Sequence, residues 1–390
     1  MASPPPQSRK PSMASPAELV DALVEEVLLR FPLDDPSSLA RAALVCKRWR
    51  HIVSGDGFRR RFSAFHRAAP MLGFLCNVKS GDGADIARFF PASSSCPRYA
   101  DRRGDFALDA RHGRVLLHCT RMAPPPQGFD PTVLDFIDLV VWDPNTGEEH
   151  QLPVLFWHTG SIAWNAAVLC ALGSACDHLD CHHGPYLVVF VGTNHSRTSV
   201  FVYSSEAGAW SAPVSGLLGL SNLMVGPSLL ARDRLHFTVE NGLKVLMYDL
   251  ARGRATVVPT PSHVIQLLPV ANMSLLTLEN GELGVTGVVG YNLYLWSWRD
   301  CTETIYGGWW EQPRVIQLDT LLSIDPHEAP PTFLVVGFAE GARTIFIGTG
   351  NAGVFTVEMN SGRVKKVLEI GPFYGIVPYV SFYTPCVLGT

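Results

Sequence analysis

The chain reads as two folding units: a small all-α module, then an all-β propeller with six blades, seven being the nearest alternative. Three observations predict this. A helical hydrophobic period runs through residues 15 to 67 and stops at Pro70. From there to the end, short runs rich in β-branched and aromatic residues are separated by Gly, Pro and Asn. Within that β-rich region a single phrase recurs: an apolar strand closing on an aromatic or polar residue, a turn, and a glycine four residues on.

Composition supports packed cores and narrows the partners. With 390 residues, 47% hydrophobic and 17% charged, the chain is too long for one ordinary core and too apolar to be disordered throughout. A net charge of −4 is too near neutral for electrostatic capture of nucleic acid or an acidic membrane, so neither is expected as a partner. No apolar run approaches the length of about eighteen residues that a spanning helix needs, and the start, MASPPPQSRKPSMASP, lacks a secretory core. Nine cysteines without a dense framework suit reduced thiols in the cytoplasm or nucleus, which makes the sequons at Asn194 and Asn272 irrelevant.

Residues 1 to 14 are Pro/Ser-rich without periodicity, a disordered leader. Ser15-Pro16-Ala17-Glu18 then fits a capping box, and Leu19, Leu23, Val27 and Leu28 give a helix of about 15 residues. Pro32 ends it near Phe31, because its ring disfavours helical geometry at the residue before. Asp35 caps a second helix with Pro36 at its first position, running through Leu39, Leu44, Val45 and Trp49 to about Val53. A third helical piece, Phe58 to Arg67, puts Phe62 and Phe65 on one side. The helical domain is therefore residues 15–67 and the propeller 70–390.

In the β-rich region the phrase reads Val140-Val141-Trp142-Asp143 to Gly147, Phe201-Val202-Tyr203-Ser204 to Gly208, Leu246-Met247-Tyr248-Asp249 to Gly253, and Phe355-Thr356-Val357-Glu358 to Gly362. Tyr294-Leu295-Trp296-Ser297 is a degenerate fifth copy. The glycines lie 61, 45 and 109 residues apart, the last spanning two copies, and a period of about 45 to 60 residues is that of propeller blades. Blades ending near Pro153, Pro213, Pro259, Leu318 and Glu369 make five. The two leftover ends make a sixth, shared between both ends of the domain so that edge strands pair and the ring closes.

Leu19 to Val53, LVDALVEEVLLRFPLDDPSSLARAALVCKRWRHIV, resembles the F-box, most specifically in Val45-Cys46-Lys47-Arg48-Trp49. The family's opening Leu-Pro stands here as Leu19-Val20, and its second as Phe31-Pro32. Val141-Trp142-Asp143-Pro144-Asn145-Thr146-Gly147 with Leu152-Pro153 is similar to the F-box-associated repeat domain of plant F-box proteins, and Pro378 to Pro385 to the ending of large cereal families of that type. The resemblance implies a noncatalytic substrate receptor of an SCF-type ubiquitin ligase: the F-box binds a Skp-type adaptor, the adaptor a cullin, and the propeller an unknown protein substrate. No cofactor is implied. Residue chemistry is compatible, because a two-helix segment cannot hide Leu19, Leu23, Val27, Leu28, Leu39, Val45 and Trp49 within itself, and burial of each gains about 1.5 to 3 kcal/mol. With Pro32 and Cys46 of the motif these are the expected adaptor-binding residues. Eight Lys and Arg against Asp56 alone between Arg41 and Arg67 make this edge basic and suited to an acidic adaptor.

Other chemistry competes poorly. Gly348-Thr349-Gly350-Asn351-Ala352-Gly353 matches G-x-G-x-x-G, but Val354 to Val357 continues at strand period where a helix must open, so it reads as a hairpin loop. Cys170, Cys176, His178, Cys181, His182 and His183 are zinc-type ligands at irregular spacing, read as a polar interblade loop of reduced thiols before a structural zinc site, with no metal assigned. Asp143 and Asp249 recur at one repeat position, as turn formers rather than a carboxylate pair. Trp296, Trp298, Trp309 and Trp310 read as interblade packing before a stacking platform. The rivals to the receptor are a ligase-independent propeller scaffold and a propeller hydrolase with its site in the central channel, for which the sequence offers no convergent acid, base and nucleophile.

Overall fold

In the computed structural model the chain is described over residues 16–120, 134–158, 161–179, 181–194, 198–217, 223, 226–260, 273–278, 281–301, 308–311, 314–322, 333–350, 353–369 and 375–383. The leader, the capping-box Ser15 and the final residues 384–390 lie outside these.

Four helices come first: α1 (Pro16–Leu28), α2 (Pro36–Val45), α3 (Lys47–Ser54) and α4 (Asp56–His66). The expected second helix is thus two. Cys46 breaks it with extended backbone, and its sulfur caps α3 by accepting from the Trp49 N–H at 3.4 Å. Asp35 precedes α2, but its carboxylate takes the Ser37 and Ser38 hydroxyls rather than a backbone N–H. Leu28, Leu29, Leu39, Ala42, Val53, Phe58 and Phe62 form the module's own core, with Trp49 and Phe382 packed against it. Phe65, expected beside Phe62, is half-exposed under the Arg30 guanidinium instead, at the end of α4 and outside the module's core.

The rest is a ring of six sheets, all antiparallel. Blade 1 combines β1 (Met71–Lys79), β2 (Asp85–Pro91) and β3 (Arg102–Arg103) with the last strand, β28 (Gly375–Val380). Blade 2 is β4 (Asp105–Arg111), β5 (Arg114–Cys119), β7 (Leu139–Trp142) and β8 (Glu149–Gln151), while β6 (Leu134–Ile137) and β9 (Leu155–His158) pair as a separate ribbon. Blade 3 is β10 (Ser161–Cys170), β11 (Tyr186–Asn194), β12 (Thr198–Ser204) and β13 (Ala209–Trp210), with β14 (Val214–Leu217) also on β12. Blade 4 is β15 (Leu229–Ala231), β16 (Arg234–Val239), β17 (Lys244–Asp249) and β18 (Arg254–Pro259). Blade 5 is β19 (Met273–Thr277), β20 (Leu283–Val289), β21 (Asn292–Asp300) and β22 (Gly308–Trp310), with β23 (Arg314–Gln317) on β21 and then α5 (Leu318–Leu322). Blade 6 is β24 (Phe333–Ala339), β25 (Thr344–Thr349), β26 (Gly353–Glu358) and β27 (Val364–Leu368).

The recurring phrase is the third strand of blades 2 to 6 with its turn into the fourth. Gly147 (φ 76°) and Gly208 (φ 63°) donate their N–H groups to Asp143 O and Ser204 O, both at 2.8 Å, which requires a left-handed residue. Asp143 and Asp249 are turn formers as expected, accepting from the N–H groups of Asn145 at 2.8 Å and Arg252 at 2.9 Å. G-x-G-x-x-G is a hairpin, with Thr349 paired to Gly353.

Each blade is hydrophobic on both faces, so six cores lie between neighbours. In β11, Val188 and Phe190 pack with Leu116 and Val141 of blade 2, while Val189 and Val191 pack with Leu235 and Leu246 of blade 4. Trp210 and Trp310, on the outer strands of blades 3 and 5, latch onto the preceding blade by donating to Pro153 O at 2.7 Å and Pro259 O at 2.8 Å. Closure is by β28, whose residues Gly375 to Val380 pair with Asn77 to Met71 of β1. Its Tyr379 is buried against blade 2, donating to Gly113 O at 3.2 Å and accepting from Asn145 Nδ2 at 3.2 Å. Tyr379→Ala is expected to cost about 3–5 kcal/mol in urea unfolding, as large-to-small core changes do. A loss below about 1 kcal/mol, the range of surface substitutions, would show that the ring is not sealed there.

Candidate functional site

The helical module leaves apolar side chains that its core does not absorb. Leu23 (61% exposed) and Val27 (59%) share a face of α1 at a four-residue spacing, and Leu44 (74%) and Val45 (65%) end α2. An ion pair from Arg48 to Asp21 brings the start of α3 against α1, so the two pairs occupy adjoining elements. Pro32 and Cys46 are exposed, and Trp49 is half-buried with one side on the module core. Leu28 and Leu39 are fully interior: α3 and α4 supply the cover that a two-helix argument denied them. Leu19 lies in α1, but its side chain is outside the described residues. Leu44 was not among the expected docking residues. Only the break at Cys46, which ends α2 there, reveals it as surface.

The basic edge is weaker than its count, because several of its cations are engaged within the module: Arg41 with Asp35, Arg48 with Asp21, Arg59 with Asp56, and Arg61 with Glu25 and Glu26. Lys47 and Arg50 are exposed on α3 beside Val45.

Through the ring runs a channel of about 960 Å³, walled by the first strands of the blades. Arg67 to Ala69 and Phe382 stand at the mouth formed by the turns between first and second strands, so the helical module sits over that mouth. Gly348, Thr349, Gly350, Gly353 and Gly242 mark the opposite mouth, where second strands turn into third. Within the channel Asp109 is paired with Arg111 at 2.5 Å and accepts from Val168 N at 3.0 Å, and Arg111 donates to the Ser228 hydroxyl at 3.0 Å. Glu340 faces Arg111 Nε at 4.0 Å from blade 6. Burial pushes Asp109 up to about 6, with Arg111 pulling the other way. Desolvation at the channel wall, opposed by Arg111 and reinforced by Asp109, pushes Glu340 up to about 7, though its side chain stays 39% exposed to the channel. His112 next to this strut is driven down to about 3 by burial and by the facing His178. Asp109, Arg111 and His112 are neighbours in sequence without a recognisable motif, and their partners Val168, Ser228 and Glu340 come from other blades, which is why sequence reasoning missed them.

Of the tryptophans, Trp296 and Trp298 are buried, Trp310 packs edge-on to Trp298 at 5.1 Å, and Trp309 is half-exposed. The cluster is blade packing, as expected. The Cys/His segment carries free thiols, as read, but it joins two strands of blade 3 rather than two blades. One ligand atom each of Cys170, Cys176, His178 and Cys181 lies within 4.8 Å of all the others, because the end of β10 supplies a ligand that local spacing does not count.

Comparison with known proteins agrees with the module. The F-box-like family matches residues 25–64. An F-box protein of Arabidopsis thaliana is 48% identical over 44 residues, which are 11% of this chain and 10% of that protein, so the match spans about a tenth of the relative's length. Among solved structures, the periplasmic gluconolactonase of Pseudomonas aeruginosa is similar over 75% of this chain and 81% of its own, at 12% identity and a TM-score of 0.42. A protein of unknown function from Bacteroides caccae is similar over 78% of this chain and 98% of its own, also at 12% identity and a TM-score of 0.42. The chain therefore carries an amino-terminal F-box-like region followed by a six-bladed propeller.

The channel carboxylates make a pH-dependent contribution whose sign follows from the upward shifts. Between its ordinary 4.5 and its folded value of about 7, Glu340 keeps its proton in the folded chain while the unfolded chain releases it. Stability therefore falls as pH rises through that window and levels off above it. Glu340→Gln is expected to make the fall shallower in urea midpoints measured from pH 4.5 to 7. An unchanged slope would show that Glu340 titrates there as it does in water.

Proposed function

We propose that this chain is a noncatalytic substrate receptor of an SCF-type ubiquitin ligase, its helical module binding a Skp-type adaptor, and through it a cullin, while the propeller holds the protein substrate. The observation that carries this reading is the F-box-like region with Leu23, Val27, Leu44 and Val45 left on its surface. F-box domains typically bind Skp-type adaptors, and helix-in-groove recognition buries side chains of this kind. Leu28 and Leu39 hold the helices in place, while Leu23, Val27, Pro32, Val45, Cys46 and the open side of Trp49 make the contact. Lys47 and Arg50 on α3 favour an acidic adaptor rim.

The substrate belongs at the channel mouth remote from the module, so that adaptor and substrate engage simultaneously. The receptor then acts by raising the local concentration of a substrate lysine beside the ligase's charged carrier. The thiol content fits work in the cytoplasm or nucleus. The pairing of Asp109 with Arg111, and their bonds to Val168 and Ser228, give this pair a structural part rather than that of a hydrolase.

Leu23→Asp combined with Val45→Asp tests the docking. Two buried apolar contacts at about 1.5–3 kcal/mol each predict adaptor binding at least about 100-fold weaker, read by calorimetry with purified adaptor. The thermal transition should stay where it is, because both side chains are on the surface. Undiminished binding by the double variant would refute this docking face, and no binding by the unaltered chain would favour a ligase-independent scaffold.

A further inference from the structure

The segment between β10 and β11 leaves blade 3, makes two short 3-10 turns (Gly173–Ala175 and Cys181–His183), and returns. It gathers three thiols and an imidazole. Cys181 Sγ lies 3.6 Å from His178 Nδ1, and each of the four ligand atoms, those of Cys170 and Cys176 included, is within 4.8 Å of the rest. In tetrahedral zinc coordination, with Zn–S about 2.3 Å and Zn–N about 2.0–2.1 Å, sulfur and nitrogen stand about 3.6 Å apart and two sulfurs about 3.8 Å. The cluster therefore has the dimensions of a Cys3His site with only small side-chain adjustment.

Three further observations point to a ligand. The His178 N–H donates to Cys176 Sγ at 3.4 Å, a bond that holds sulfur lone pairs in place, and His178 itself is left-handed, φ 56°. Its ring is fixed by stacking on His112, centroids 4.2 Å apart. Last, the Arg114 guanidinium is buried beside the thiols, donating to Cys181 O at 2.9 Å and lying over Tyr186 at 4.9 Å. Zinc with three thiolates and one neutral imidazole carries a net charge of −1, and Arg114 is the buried cation that balances it.

We propose that Cys170, Cys176, His178 and Cys181 form a structural zinc site that pins this loop at the mouth of the channel. Binding releases the three thiol protons to solvent and forms three Zn–S bonds and one Zn–N bond, with no change in oxidation state. All four positions are protein ligands, so the site is closed to substrate and serves architecture. It fixes the 3-10 turn that carries His182 against Gly113 and so shapes the rim beneath the helical module.

The test uses the full chain, purified without a metal-affinity tag and dialysed against metal-free buffer. Elemental analysis should find one zinc per chain, and cobalt exchanged for zinc should give the visible and thiolate charge-transfer bands of tetrahedral thiolate coordination. His178→Asn keeps a residue that accepts left-handed backbone but removes the ligand, and Cys176→Ser removes a thiol from the loop. Both should lower zinc to background, while Cys301→Ser, in blade 5, leaves it at one. Zinc near zero in the unaltered chain, equal zinc in Cys176→Ser and the parent, or a disulfide among Cys170, Cys176 and Cys181 in protein kept under reducing conditions would each overturn the site. Adaptor binding plays no part in these readouts, so their outcome is independent of the receptor reading.

Discussion

Everything in the ring depends on one constraint: a blade has two apolar faces and cannot hide either by itself. The second strands make this plain, since β11 sends Val188 and Phe190 one way and Val189 and Val191 the other, all fully buried. A single sheet of four short strands would leave half of these in water. Stacking on both sides satisfies each blade but always leaves two terminal faces, so only closure removes the deficit. The chain achieves it by reserving β28 for blade 1, joining residues near 375 to residues near 77 and converting six weak sheets into one cooperative body. Buried polar groups follow the same logic. Asn77 of blade 1 bonds both the N–H and C=O of Ala107 in blade 2, each at 2.8 Å, where the β4 register shifts and a plain strand pairing is interrupted.

The helical module obeys a different rule. Its core is complete but small, and its four helices supply just enough cover for Leu28, Leu39, Val53 and Phe62. Among the described residues, Leu23 and Val27 of α1 and Leu44 and Val45 at the end of α2 are left exposed. The ring's surplus apolar surface was removed by symmetry of neighbours; among the described residues the module has no neighbour on that side. This contrast makes Leu23, Val27, Leu44 and Val45 informative, whereas a single exposed valine on a blade edge is ordinary.

How much was legible in the sequence follows from the range of the interactions involved. The repeat phrase is local, a third strand and its turn, so Asp143, Gly147 and their counterparts announced blade number and blade ends: Pro259, for instance, is the last residue of β18. The start of α1 and α2 at Pro16 and Pro36 was equally local. The break at Cys46 was not, because Leu39, Leu44, Val45 and Trp49 keep an apolar pattern on both sides of it, and only the direction of α3, set by packing on α1, forces the kink. Least legible were clusters assembled by topology. Arg111 meets Ser228 and Glu340 because first strands converge on the channel, and Cys170 meets Cys181 because β10 ends where the 3-10 turn returns.

That convergence gives the two mouths of the channel different characters. At one, the helical module's connection (Arg67 to Ala69), the chain end at Phe382, and the turns carrying His112 and His182 crowd together. Gly113 there is so close to His182 and Ser381 that a Cβ would come within 3.1 Å and 3.2 Å of them. A surface so enclosed transmits orientation well and offers little room for a substrate. At the other mouth the β25–β26 hairpin places Gly348, Gly350 and Gly353 on the channel wall. A receptor gains from holding its adaptor and its cargo at a fixed separation, because effective concentration falls as the link between two sites loosens. A closed ring is stiff across its axis, and the Asp109–Arg111–Ser228 strut ties blades 2 and 4 through its centre. The same closure that buries the faces of the blades therefore sets the distance over which a receptor of the proposed kind would work.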